Sequence, residues 1–223
     1  MRLKFVIAAV ALALLMPGAA NAQQIESKTW LINGFGSAVP FVGYGFENLK
    51  KKIPGSDLYS YIGPAEGLAI IQPKVMNDIR AAYRRNPNVE INLIGISFGA
   101  NMLSRMVAQL DKEGIPVSYL GILDGLPLAP ITKNVRRVDN FICNLPGCLR
   151  DKVRLMKGNT ETIQNHFAYT TTHIALGDNE EVHQRILHQI STYAMDIGPV
   201  AVDYTYTAAT GVAVQPRAYA PIE

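Results

Sequence analysis

Apolar residues recur along this chain in two alternating rhythms. Short runs at residues 29–33, 57–62, 89–96, 117–123 and 135–142 are dense in Val, Ile, Leu, Trp and Tyr, with strand length and no helical period. Between them apolar residues return every three or four positions. Leu68, Ile71, Val75, Met76, Ile79 and Tyr83 do so within 67–85, Met102, Leu103, Met106, Val107 and Leu110 within 100–112, and Val182, Ile186, Leu187 and Ile190 within 180–193. The first pattern is that of buried strands and the second that of one helix face. Residues 41–52 read as a further helix ended near Pro54-Gly55, and Pro73 kinks or restarts the 67–85 helix. Strand–helix alternation predicts an α/β fold, a mainly parallel sheet of about five to six strands with helices on both faces.

The two ends of the chain fall outside this rhythm. Arg2 and Lys4 precede an apolar run at 5–16, which Pro17-Gly18 breaks, and Ala20-Asn21-Ala22 supplies the small residues a signal peptidase reads. The expected organisation is a signal peptide at 1–22, one domain at 23–196, and a C-terminal tail at 197–223. In the tail Val200, Val202, Tyr204 and Tyr206 alternate as an edge strand would. This implies export, to the periplasm or beyond the cell, with no stable membrane anchor after cleavage. The formal charge is +3, or about +1 without Arg2 and Lys4. That balance leaves no electrostatic footprint for nucleic acid, and Lys50-Lys51-Lys52 and Arg136-Arg137 read as solvated faces. Nothing in the pattern points to an oligomeric state.

Cys143 and Cys148 are the only two cysteines, and they flank Asn144-Leu145-Pro146-Gly147, whose Pro-Gly pair favours a turn. In an oxidising compartment they are expected to pair as a disulfide, a local staple worth about 2 kcal/mol in the chain-entropy model. Two thiols with no histidine nearby make a poor ligand set, so no metal and no other cofactor is expected.

The chemistry is concentrated in Gly95-Ile96-Ser97-Phe98-Gly99, where a strand pattern gives way directly to a helix pattern. A serine at such a sharp turn is held in a strained conformation with its hydroxyl clear of the sheet, and the flanking glycines remove side chains that would collide. The Phe98 N–H opens the helix and is free to receive an oxyanion. A serine hydroxyl needs a base, and the base needs an acid. All four histidines follow Ser97. His173 is the expected base, in a strand-like run at 169–178 that leads into a loop. His166 is the alternative, while His183 and His188 sit beside the apolar face of the last helix. Asp124, which ends an apolar strand, is the expected acid, with Asp139 the alternative. A second oxyanion donor is expected from Asn33-Gly34-Phe35-Gly36-Ser37, as the N–H of Phe35 or Gly36. The rival reading of this loop, a dinucleotide-binding turn, fails because Val39 occupies the third glycine position.

Taken together these residues resemble the α/β-hydrolase superfamily over about residues 30–193, with the likeness strongest to its small lidless or short-lidded cutinase-like and thioesterase-like members. In thioesterase-like members the acid follows the strand after the elbow helix, where Asp124 stands; Asp139 matches the more usual later place. Asn33 stands where many relatives carry histidine. The resemblance implies a serine ester hydrolase acting through an acyl-enzyme on a small-molecule or lipid-like ester. A thioesterase or acyltransferase, and a non-catalytic binding protein on the same scaffold, are the alternatives. Residues 150–167 are expected to be able to cap the site.

Overall fold

The computed structural model describes residues 26–39 and 45–194. The expected signal peptide and C-terminal tail lie outside the described residues, as do residues 41–44 of the expected 41–52 helix. Six strands form one all-parallel sheet, β1 (Ser27–Phe35), β2 (Asp57–Tyr61), β3 (Glu90–Ile96), β4 (Val117–Leu123), β5 (Val135–Cys143) and β6 (Ile163–Tyr169), in the spatial order β2-β1-β3-β4-β5-β6. The helices are α1 (Glu47–Lys52), α2 (Pro64–Glu66), α3 (Gln72–Arg85), α4 (Phe98–Lys112), α5 (His173–Leu176) and α6 (Glu180–Ala194). Pro73 lies in the first turn of α3 and cannot donate a backbone hydrogen bond. The segment before it, Gly67–Ile71, accordingly runs as a widened π-type turn.

Two apolar layers sandwich the sheet, as the alternation of strand side chains requires. On one face Trp30, Ile32, Leu93, Leu120 and Ile122 pack against Val75, Met76 and Ile79 of α3 and Met102, Leu103 and Met106 of α4. On the other, Leu31, Ile94, Tyr119 and Phe141 pack against Leu49 of α1 and Val182, Ile186 and Ile190 of α6. The fold class expected from the sequence is therefore the one observed.

Two local expectations are corrected. Residues 150–167 do not form a separate cap. Their second half enters β6, paired along β5 from Arg137↔Ile163 to Cys143↔Tyr169. Their first half lies along residues 128–131, with Ile131 bridging Leu155 and buried Val153 beneath. Residues 169–178 are not one extended run either. The strand stops at Tyr169 and α5 begins at His173, capped by the Thr172 hydroxyl, which accepts the Ala175 N–H at 3.2 Å.

A tight crossing of bare backbones joins β1, β3 and α4. A Cβ on Gly99 would stand 2.3 Å from the Ile32 carbonyl oxygen and 2.6 Å from that of Asn33, and one on Gly95 would stand 2.8 Å from the Ala100 nitrogen. All three contacts are to backbone, which cannot swing aside. Gly99→Ala is therefore expected to cost on the order of 3–5 kcal/mol or prevent folding, measured as the shift in urea midpoint against a control such as Gly63→Ala, where φ is −144° and an added Cβ meets nothing within 4 Å.

Candidate active site

Every residue of the site lies at the carboxyl ends of parallel strands, where backbone groups are freed from the ladder. Ser97 follows β3 with φ 58° and ψ −123°, a conformation that L residues rarely adopt. It is held there by its own N–H, which donates to Leu123 O at 2.9 Å, and by its carbonyl, which accepts from Asn101 N–H at 3.2 Å. The serine is partly exposed. Gly34 packs against it, since a Cβ there would meet the Ser97 Cβ at 3.0 Å and Oγ at 3.5 Å. Phe98 begins α4, and the first N–H groups of a helix have no acceptor within it.

Asp124 leaves β4 with φ 38°, and its backbone N–H donates to Phe141 O at 2.8 Å. Its side chain is fully buried. Oδ1 accepts the Arg150 N–H at 2.8 Å, Oδ2 accepts the Leu149 N–H at 2.9 Å, and Oδ2 also lies 2.7 Å from His173 Nδ1. Burial acts to raise this carboxyl, but the hydrogen bonds from His173, Arg150 and Leu149 outweigh it and hold the group below the usual carboxylate value. An ionised carboxylate only accepts hydrogen bonds, so Nδ1 of His173 carries a proton and the lone pair of the neutral ring falls on Nε2. Among the described residues no hydrogen bond joins that ring to Ser97 Oγ. Such bonds often form only once a substrate is seated.

The alternative residues go elsewhere. Asp139 is buried inside the sheet, accepting from Asn165 Nδ2 at 2.8 Å and from the Tyr119 hydroxyl at 3.3 Å, and its burial raises it above the usual carboxylate value. His166 is an exposed residue of β6 whose ring nitrogens face the side-chain amides of Asn140 and Gln164, with no carboxylate among those contacts. His183 is buried in α6, with Nε2 2.8 Å from Gly177 O and Nδ1 3.2 Å from Lys52 Nζ. His188 is exposed on α6. Of the two loop donors, Gly36 is corrected: its N–H is taken by Ile62 O at 2.9 Å. Phe35 remains, as the last residue of β1. Asn33 ties this loop down, with Oδ1 accepting the Phe46 N–H and Nδ2 donating to Ser60 Oγ, both at 2.9 Å.

Cys143 and Cys148 are joined in a disulfide. Cys143 Sγ, an Asp124 oxygen and a His173 nitrogen lie within 4.8 Å of one another. The sulfur is committed to the disulfide and the ring nitrogen to the carboxylate, so the three do not make a metal centre. Sequence reasoning missed Leu149 and Arg150. Both act through backbone N–H groups, which leave no mark on residue identity.

Among the described residues no helix is long and apolar enough to cross a membrane. No protein-family model matches the chain, and none of the curated proteins compared matches it in sequence. Solved structures similar to it include the thioesterase domain SrfTE, described for cyclisation of the lipopeptide antibiotic surfactin (13% identity, 77% of this chain and 93% of that one, TM-score 0.48). Others are a cutinase-like protein from Cryptococcus sp. (14% identity, 78% and 97%, TM-score 0.46) and the NocB thioesterase domain of the nocardicin cluster (14% identity, 76% and 93%, TM-score 0.43). At these scores the likenesses carry no argument, and the functional reading rests on the site.

Burial holds the His183 imidazole below its ordinary value, its first and largest influence, against the Gly177 hydrogen bond that acts to raise it. The unfolded chain, with imidazole near ~6.5, therefore takes up the proton first as the pH falls. Stability is expected to decline from about pH 6.5 downward, through the lower folded-state value. His183→Gln, which can still donate to Gly177 O, should flatten that part of the pH dependence in urea midpoints measured between pH 7.5 and 5.

Proposed function

We propose that this chain is an exported serine hydrolase that cleaves carboxylic esters. The observation that carries the reading is the buried Asp124 carboxylate hydrogen-bonded to His173 Nδ1 at 2.7 Å, beside a serine at φ 58°. In this reading Ser97 Oγ attacks the ester carbonyl while His173 Nε2 takes its proton. Asp124 stabilises the imidazolium. The N–H groups of Phe98 and Phe35 face the oxyanion. The imidazolium then protonates the departing alcohol, and water, activated by the same ring, releases the acyl group. Phe35 itself, Leu126 two residues after Asp124, Leu149 whose N–H donates to Asp124, and Ile174 next to His173 all carry exposed apolar side chains, which supports an uncharged, lipid-like ester as substrate. The disulfide supports export, since such bonds persist in oxidising compartments.

A thioesterase is the second reading, favoured by the position of Asp124 directly after β4. Paired rates on an ester and a thioester of the same acyl group separate the two. Ser97→Ala is expected to abolish p-nitrophenyl-ester turnover and fluorophosphonate labelling while leaving the fold intact. Asp124→Asn should lower kcat by about 10⁴-fold, through the wrong imidazole tautomer. Unlabelled, correctly folded wild-type protein would instead mark a binding protein on this scaffold.

A further inference from the structure

Three non-glycine residues among those described have positive φ: Ser97 at 58°, Asp124 at 38° and Arg150 at 60°. The first two carry the proposed chemistry. The third is exposed, and the hydrogen bonds of its side chain go only to loop carbonyls. Backbone strain persists only where the surroundings over-determine it, so what holds Arg150 identifies what the loop is for.

Cys143, the last residue of β5, is bonded to Cys148, and Leu149 and Arg150 follow at once. The bridge thus fixes the chain immediately before the two N–H groups that hold Asp124, at 2.9 and 2.8 Å. Cys143 Sγ itself rests 3.2 Å from Asp124 Oδ2. A second closure comes from the Arg150 side chain, whose Nη2 donates to the carbonyls of Asn144 at 2.6 Å and Leu145 at 3.2 Å. The other ties to neighbouring chain act at the start of the loop. The Asn144 and Leu145 N–H groups donate to Tyr169 O at 3.1 Å and Thr171 O at 3.4 Å, and Asn144 Nδ2 donates to Thr170 Oγ1 at 3.3 Å, so the Leu149–Arg150 end depends on the bridge, the Arg150 guanidinium and Asp124. Asn144, Pro146, Gly147, Leu149 and Arg150 are all exposed. An exposed loop with few apolar contacts opens readily unless it is cross-linked.

We infer that residues 143–150 are a disulfide-closed clip that positions the acid, so that hydrolysis depends on the oxidised Cys143–Cys148 bridge. Arg150 is a positioning residue: its N–H and its guanidinium hold opposite ends of the clip. This rests on the proposed role of Asp124. Reduction by a dithiol breaks the Sγ–Sγ bond. Two electrons and two protons pass to the sulfurs, giving two thiols, and the dithiol closes to its cyclic disulfide. The freed loop withdraws the Leu149 and Arg150 donors, and the carboxylate no longer holds the imidazole in line.

The test uses the full chain before and after dithiothreitol, with free thiols counted, and reads p-nitrophenyl acetate kinetics alongside residue-resolved amide exchange. On reduction, exchange at Leu149 and Arg150 should accelerate at least tenfold while core amides of β3 stay protected. Loss of charge-assisted hydrogen bonds to the acid should lower kcat by roughly 10-fold to 100-fold with KM little changed, and reoxidation should restore it. Arg150→Ala, with the disulfide intact, should lower kcat less, and Arg150→Lys should recover part of the loss. The inference is overturned by two free thiols with unchanged kcat, or by undiminished protection at Leu149 and Arg150. If β3 amides also lose protection on reduction, the Arg150 series decides, and equal kcat in Arg150→Ala and wild type overturns it. Should the oxidised protein show no turnover at all, the ester-hydrolase reading fails, while the exchange data still decide whether the bridge holds the clip.

Discussion

Close contact between bare backbones governs this molecule. Helix α4 leaves β3 so abruptly that Gly99 faces the Ile32 and Asn33 carbonyls, and Gly95 faces the first turn of the helix, with no room for a side chain on either. That crossing leaves one solution for the residue between them. Ser97 takes a positive φ, its N–H reaches across to the end of β4, and the residue remains partly exposed. Sheet order follows suit. With β1 and β4 on either side of β3, the loop after β1 supplies Gly34 against the serine and the loop after β4 supplies Asp124.

A buried charge is the second constraint. Taking a carboxylate out of water costs far more than one neutral hydrogen bond returns, so a buried carboxylate survives only where several donors meet it. Asp124 receives three hydrogen bonds, from the Leu149 and Arg150 backbones and the His173 ring. Two of those donors are main-chain groups that follow directly after the Cys143–Cys148 bridge, and the third is the partly exposed imidazole.

Much of this was legible in the chain. The four central strands and the elbow appear as apolar runs because central parallel strands are buried on both faces, and the edge strand β2 still shows Leu58, Tyr59 and Tyr61. The other edge strand escaped because Ile163–Tyr169 includes Gln164, Asn165 and His166 and is nowhere fully buried, so no apolar run announces it. The helix carrying His173 escaped because it has only four residues, preceded by three threonines whose branching suggests extended backbone. Thr172, a favoured cap, was the available clue. Gly36 and Phe35 could not be told apart because the difference lies in which N–H the Ile62 carbonyl takes. The same holds for Leu149 and Arg150, which act through the one chemical group all non-proline residues share.

Asp124 and Asp139 show why burial alone would not single out the proposed acid. Both are almost wholly buried, one strand apart, and each faces a ring-bearing partner. At Asp139 burial dominates and lifts the carboxyl, and its neighbours, Asn165 and Tyr119, are groups that never become cations in ordinary water. It ties β5 to β6 from within. At Asp124 the donors win, the carboxylate stays charged, and its partner is an imidazole able to gain a proton. An anion held in place gains most where a neighbour's charge can change during reaction, because its field then acts on a difference between states instead of on the resting fold. In the proposed site that condition belongs to the end of β4, one residue after Leu123, whose carbonyl accepts the Ser97 N–H.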